Sequence, residues 1–211
     1  PKGKYQQEVS QDHPDKVMTL YIQGTDSSDL ERAEFGLLAQ MISSPYYHYM
    51  RTEQQLGYIV FATALPQKSV PALAFIVQSP EASPEKMMEH TDIFFRQYAS
   101  ELKNMDEKAY DLFRQGLITR LLEKPKNMSE KAGTLWSDLI TGRYAFDTRE
   151  SIAEQVATSP HARIINLYQQ TIMDADSSWL LYSKGSQDVL VEGFEPLSTL
   201  DRAALPRFAH P

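Results

Sequence analysis

Apolar positions along this chain fall into two regimes, strands with a helix pair first and a run of helices after. Val17-Met18-Thr19-Leu20-Tyr21-Ile22 is rich in β-formers and predicts a strand. Asp26-Ser27-Ser28-Asp29 then supplies a helix start, with Glu31 three residues after Ser28 in capping-box position. Leu30, Ala33, Leu37, Leu38 and Met41 follow at helical spacing. A second short helical stretch is expected from about Tyr46 to Leu56, with Gly57 as its C-cap glycine. Tyr58-Ile59-Val60-Phe61-Ala62-Thr63 and Leu73-Ala74-Phe75-Ile76-Val77 read as two further strands.

From Ser83 the period is helical. Ser83-Pro84 is an N-cap followed by proline at the first helical position, and Met87, Thr91, Phe94, Phe95, Tyr98 and Leu102 mark one face. Asp106 opens the next helix, with Tyr110, Phe113, Leu117 and Leu121 on its face. Ser129 opens another, with Ala132, Leu135, Trp136 and Leu139 expected in the core and Gly142 closing it. Asp147 and Glu150 mark a short helix, Ser159-Pro160 starts the last, and Trp179-Leu180-Leu181-Tyr182 predicts a closing strand. Strands and single helices do not alternate. The order therefore predicts the α+β class, a largely antiparallel sheet covered on one face by helices. Residues 1–15 are expected as a linker or extended lead-in, 16–185 as the domain, and 186–211 as an irregular C-terminal tail.

Composition narrows the function classes. With 211 residues and 42% hydrophobic content the chain can bury one sizeable core. The net charge is -7 and no Lys/Arg run stands out, so nucleic acid is not an expected partner. The chain has no cysteine, which excludes disulfides, thiolate metal sites and Cys nucleophiles and fits either cytoplasm or periplasm. No apolar run approaches the ~20 residues a membrane helix needs. The opening Pro1-Lys2-Gly3-Lys4 lacks Met and reads as a piece of a longer protein. His13, His48, His90, His161 and His210 stand apart from one another, and neither H-E-x-x-H nor H-x-x-E-H occurs. No metal site is expected here. The histidines read as surface or supporting groups, with His90 on a solvated helix face. No G-x-S-x-G elbow and no glycine-rich phosphate loop occurs.

One segment concentrates candidate chemistry. Between Tyr46 and Phe61 four tyrosines, Arg51 and His48 crowd a helix–glycine–strand junction. One reading is a helix end packed on a sheet, with half-buried tyrosines. The other is a binding site, in which the planar fork of Arg51 takes a carboxylate or peptide carbonyl and Tyr58 offers a phenol donor on a rigid ring.

Arg51-Thr52-x-x-Gln55-Leu56-Gly57-Tyr58-Ile59-Val60 resembles the R-T-x-x-Q-L-G-Y-x-V signature in the last domain of the insulysin/pitrilysin zinc peptidases. Leu122-x-Lys124-Pro125-Lys126-Asn127-Met128, and Trp136 followed by Tyr144-x-Phe146-Asp147, are similar to two further segments of that domain, in the same order. The resemblance covers residues from about 10 to 185 and implies a parent built as a clamshell of four homologous α+β domains. In such a parent, zinc is held by H-x-x-E-H in the first domain and this domain carries none. The resemblance implies a catalytic role for Tyr58, assisting the peptide carbonyl across the chamber. It implies substrate binding by Arg51, with Tyr47 and Val60 lining subsites. The implied partners are a peptide substrate and the N-terminal half of the same parent chain. The implied compartment is periplasmic, with the cytoplasm as alternative, and the fragment alone is expected to be inactive. A non-enzymatic structural or peptide-binding relative of the same fold stands as the second reading.

Overall fold

Two hydrophobic periods, two and 3.6, build the two layers of this domain. A computed structural model of the protein describes residues 3–175, 177–183 and 191–200. The strands are β1 (Gly3–Glu8), β2 (Lys16–Gln23), β3 (Ile59–Ala64), β4 (Ala72–Ser79), β5 (Ser177–Ser183) and β6 (Glu195–Pro196). They form one sheet in the order β3-β4-β2-β5-β1-β6. The pairs β3–β4, β4–β2 and β2–β5 are antiparallel, and β5–β1 and β1–β6 are parallel. The helices are α1 (Asp29–Tyr47), α2 (Pro84–Asn104), α3 (Glu107–Leu122), α4 (Met128–Ile140), α5 (Thr148–Thr158) and α6 (His161–Tyr168). The α+β class read from the sequence is the class of the fold.

Alternation along the strands sends one set of side chains into the core. Met18, Leu20, Ile22, Val60, Ala62, Leu73, Phe75, Val77 and Leu180 join Leu37, Leu38, Met41 and Tyr46 of α1 and Phe94, Phe95 and Tyr98 of α2 in one buried cluster. Its aromatic centre is packed edge to face, with Tyr46 5.2 Å from both Phe75 and Phe94. The caps of α1, α2 and α3 follow the sequence, whereas Asn127 rather than Ser129 caps α4, accepting the Glu130 amide at 2.9 Å, and Asp147 makes no side-chain cap to α5. Ser28 accepts the Glu31 amide at 3.1 Å, Ser83 that of Lys86 at 3.3 Å, and Asp106 that of Ala109 at 2.7 Å.

Three local expectations are corrected. The helix break before Tyr46 does not occur: α1 runs through Pro45 and widens into a π-helical turn over His48–Glu53. Continuous burial of Leu38, Met41, Ile42 and Tyr46 on one face outweighs the single amide that proline lacks. Gly57 is not the C-cap. Gln54 ends the turn, and Gln55 takes the left-handed conformation at φ 53°. Gly57 instead lies against β4, where an added Cβ would meet the Gln78 carbonyl oxygen at 2.6 Å. The third correction concerns α4. Asp138 is its buried residue, while Trp136 is 64% exposed and Leu135, Leu139 and Ile140 are exposed as well. Periodicity identifies an apolar helix face but not what covers it. His161 is buried and stacks on Tyr110 at 4.7 Å between ring centroids, which makes it a supporting rather than a surface group, one of the two roles expected.

The expected lead-in includes β1, which lies inside the sheet between β5 and β6. Within the expected tail, residues 191–200 contain β6 and a 3-10 turn over Leu197–Thr199. Residues 186–190 and 201–211, with Pro206, His210 and Pro211, lie outside the described residues.

Candidate functional site

The junction that closes α1 places Arg51 and Tyr58 side by side. The π-helical turn carries Arg51, and the backbone then turns at Gln55. Its path is held by hydrogen bonds from the Gln54 amide to the Tyr49 carbonyl (3.0 Å) and from the Leu56 amide to the Met50 carbonyl (2.9 Å). The Tyr58 amide joins the sheet through the Gln78 carbonyl at 3.2 Å. Arg51 Nη1 donates to the Tyr58 carbonyl at 2.7 Å, and its guanidinium lies 5.4 Å from the centroid of the Tyr47 ring. Arg51 therefore has a local duty, fixing the backbone of Tyr58, before any ligand is considered.

Tyr58 is 45% exposed, yet its hydroxyl is held from two sides. It donates to Asp15 Oδ2, and Gln78 Nε2 donates to its oxygen at 2.8 Å. Gln78 Nε2 also donates to Asp15 Oδ2 at 3.0 Å, which closes a triangle. The hydrogen bond to Asp15, then the partial loss of solvent, then the carboxylate charge push the Tyr58 phenol above its ordinary value. At neutral pH it is a protonated phenol.

Tyr47 is exposed beside an open depression of about 430 Å³, whose walls include Gln40, Ser43, Ser44, Thr63 and Arg120. Val60 does not join this group. It is 1% exposed and packs in the core, because alternation along β3 turns it toward the helices. Its neighbour Phe61 faces the other way and is exposed. Register carries that open face across the sheet: Phe61 stands beside Ile76, Ile76 beside Thr19, and Thr19 beside Leu181. The helices cover one face of the sheet and leave this row partly accessible.

Asp15 and Gln78 escaped the sequence reading. They lie 43 and 20 residues from Tyr58, and strand order alone brings them together. The one available signal is the carboxylate directly before a strand. His90, expected on a solvated face, meets the Tyr49 hydroxyl at 3.3 Å through Nδ1. Among the described residues no three His, Cys, Asp or Glu side chains gather in a way that could hold a metal ion, so the residues present do not fit a zinc site. Among the same residues no helix is long and apolar enough to cross a membrane.

An α+β domain with one open sheet face and an R-T-x-x-Q-L-G-Y junction at its edge defines a class, and the comparisons agree on it. Residues 37–136 match a family model described as PQQ synthase PqqF-like, C-terminal lobe domain 4. The chain is 30% identical over 166 residues to human insulin-degrading enzyme, covering 79% of this chain and 16% of that protein. It is 28% identical over 161 residues to protease 3 of Escherichia coli K12, covering 76% of this chain and 17% of that protein. The crystal structure of pitrilysin superposes with a TM-score of 0.81 at 25% identity, over 93% of this chain and 21% of that chain. The chain belongs to the insulysin/pitrilysin family of metallopeptidases, as a domain of the C-terminal lobe. It spans about a sixth of the length of the curated relatives it matches.

Proposed function

We propose that this domain forms part of the chamber wall of a clamshell zinc metalloendopeptidase that degrades peptides. In this reading it presents Arg51 and Tyr58 to a peptide held at the active centre of the parent's N-terminal half. The observation that carries the reading is the junction itself. An arginine and a rigidly seated, exposed phenol sit at the end of a sheet whose one face is uncovered. The metal chemistry belongs to another domain, and the domain alone is inactive. Arg51 retains exposed donors for a substrate carbonyl or carboxylate. Tyr58 donates to the scissile carbonyl oxygen as negative charge develops there, a contact made only when the two halves close. Tyr47 and the depression beside it take a substrate side chain. The parent is placed in the periplasm, with the cytoplasm as alternative; a cysteine-free chain suits both.

Steady-state kinetics on the full-length parent test this. Tyr58→Phe keeps the ring and is expected to lower kcat by ~10²-fold with KM little changed. Arg51→Ala is expected to raise KM, because a charged fork holds ground and transition states alike. The second reading, a non-enzymatic peptide-binding relative, is favoured by one observation: the Tyr58 hydroxyl is already engaged within the domain. Under that reading the parent shows no peptide turnover for Tyr58→Phe to lower.

A further inference from the structure

Asp15 is a buried carboxylate, 7% exposed, and the reaction just described gives it no part. It precedes β2 and is fixed by its own backbone. Its amide donates to His13 Nδ1 at 3.2 Å, and its carbonyl accepts from Gln11 Nε2 at 2.8 Å. Gln11 Nε2 also donates to Ser183 Oγ at 2.6 Å, which ties this corner to β5. His13 Nδ1 lies 3.8 Å from Asp15 Oδ2 on the exposed side. The carboxylate is thus built in at the start of the interior strand β2, and it receives the one proton the Tyr58 phenol can share.

A phenol has a single O–H. While that proton points at Asp15, the Tyr58 oxygen offers only lone pairs, one of them already facing Gln78 Nε2. In this arrangement Tyr58 is an acceptor toward any incoming group and cannot stabilise an oxyanion. We propose that Asp15 is a positioning residue acting through Tyr58, holding the phenol proton at rest and competing for it with the developing oxyanion of the substrate. This rests on the reading of Tyr58 as a transition-state donor. Gln78 completes the device. Its amide grips the phenol oxygen rather than the proton, so the O–H can rotate toward substrate while the ring stays in place. The neighbouring carboxylate raises the phenol's pKa, so what changes is the direction of a hydrogen bond and not ionisation.

A charged acceptor holds an O–H more strongly than a neutral one does. Asp15→Asn keeps the shape and an acceptor oxygen while removing the charge. In the full-length parent, with a quenched fluorescent peptide as substrate, Asp15→Asn is expected to raise kcat roughly three- to ten-fold with KM unchanged. In a Tyr58→Phe background the same substitution is expected to be silent. A kcat that is unchanged or lower in Asp15→Asn overturns the proposal, and so does an equal effect in both backgrounds, which marks a purely structural role. If Asp15→Asn melts early, Asp15→Ser serves for the same pair of comparisons. Normal turnover by Tyr58→Phe alone strikes the donor reading itself and this proposal with it. A slow Tyr58→Phe with no gain in Asp15→Asn strikes only the proposal.

Discussion

Tyrosine hydroxyls do much of the polar work inside this domain. Tyr46 shares a hydrogen bond with Thr91 Oγ1 at 3.0 Å, and Tyr168 donates to the Phe95 carbonyl at 2.8 Å. Burial pushes both phenols, and that of Tyr98, well above the ordinary tyrosine value. The sign for stability follows. The unfolded chain releases these protons near pH ~10, whereas the folded chain keeps them to higher pH. Their stabilising effect is complete below that pH and is lost as pH rises through the folded values. Urea denaturation between about pH 8 and 11 is expected to show stability falling on the alkaline side, with a flatter fall in Tyr46→Phe and Tyr168→Phe. At this scale the sequence was informative where a residue's chemistry is local. Arg51 and Tyr58 stand seven positions apart across one turn, so their nearness was legible as a junction, but the 2.7 Å contact runs from the guanidinium to the Tyr58 backbone carbonyl and not to the phenol. Asp15 and Gln78 were not, because no spacing along the chain encodes that β4 lies between β3 and β2.

At the scale of elements, Gly57 shows how a correct residue can carry the wrong explanation. A glycine after a helical stretch suggests a C-cap, but the left-handed residue is Gln55, and Gly57 is needed for close approach to β4. The obstruction to a side chain there is backbone, the Gln78 carbonyl, and cannot swing aside. Gly57→Ala is therefore expected to destabilise the domain by about 1–3 kcal/mol and to shift Tyr58 relative to Asp15. Chemical denaturation reads the first effect, and kcat of the full-length parent reads the second. The capped starts of α1, α2 and α3 were legible because a cap is a contact across three residues.

Across the whole molecule, the difference between an apolar stripe and a buried stripe decides where the core ends. Trp136 and Leu139 look like core residues by period, yet both are exposed, so the core stops short of α4. Trp136→Ser is accordingly expected to change the stability of the domain by less than about 0.5 kcal/mol, where a core tryptophan would cost several-fold more. Urea denaturation distinguishes the two, and a large loss would place α4 inside the core after all.

The parallel strand β1 carries a consequence for how the molecule is made. Its partners, β5 and β6, are the last strands among the described residues, with Gly3 beside Ser177 and Tyr5 beside Glu195. During synthesis β1 leaves the ribosome well before its partner strands and must wait, unpaired, until almost the whole domain has followed. Closing so long a loop is slow even though its entropic cost grows only with the logarithm of length. The antiparallel block of β2, β3 and β4 and the helices can assemble meanwhile, leaving one edge of β2 open until β5 arrives and β1 docks on it. The final act of folding is therefore to seat β1, and that strand locks the sheet shut.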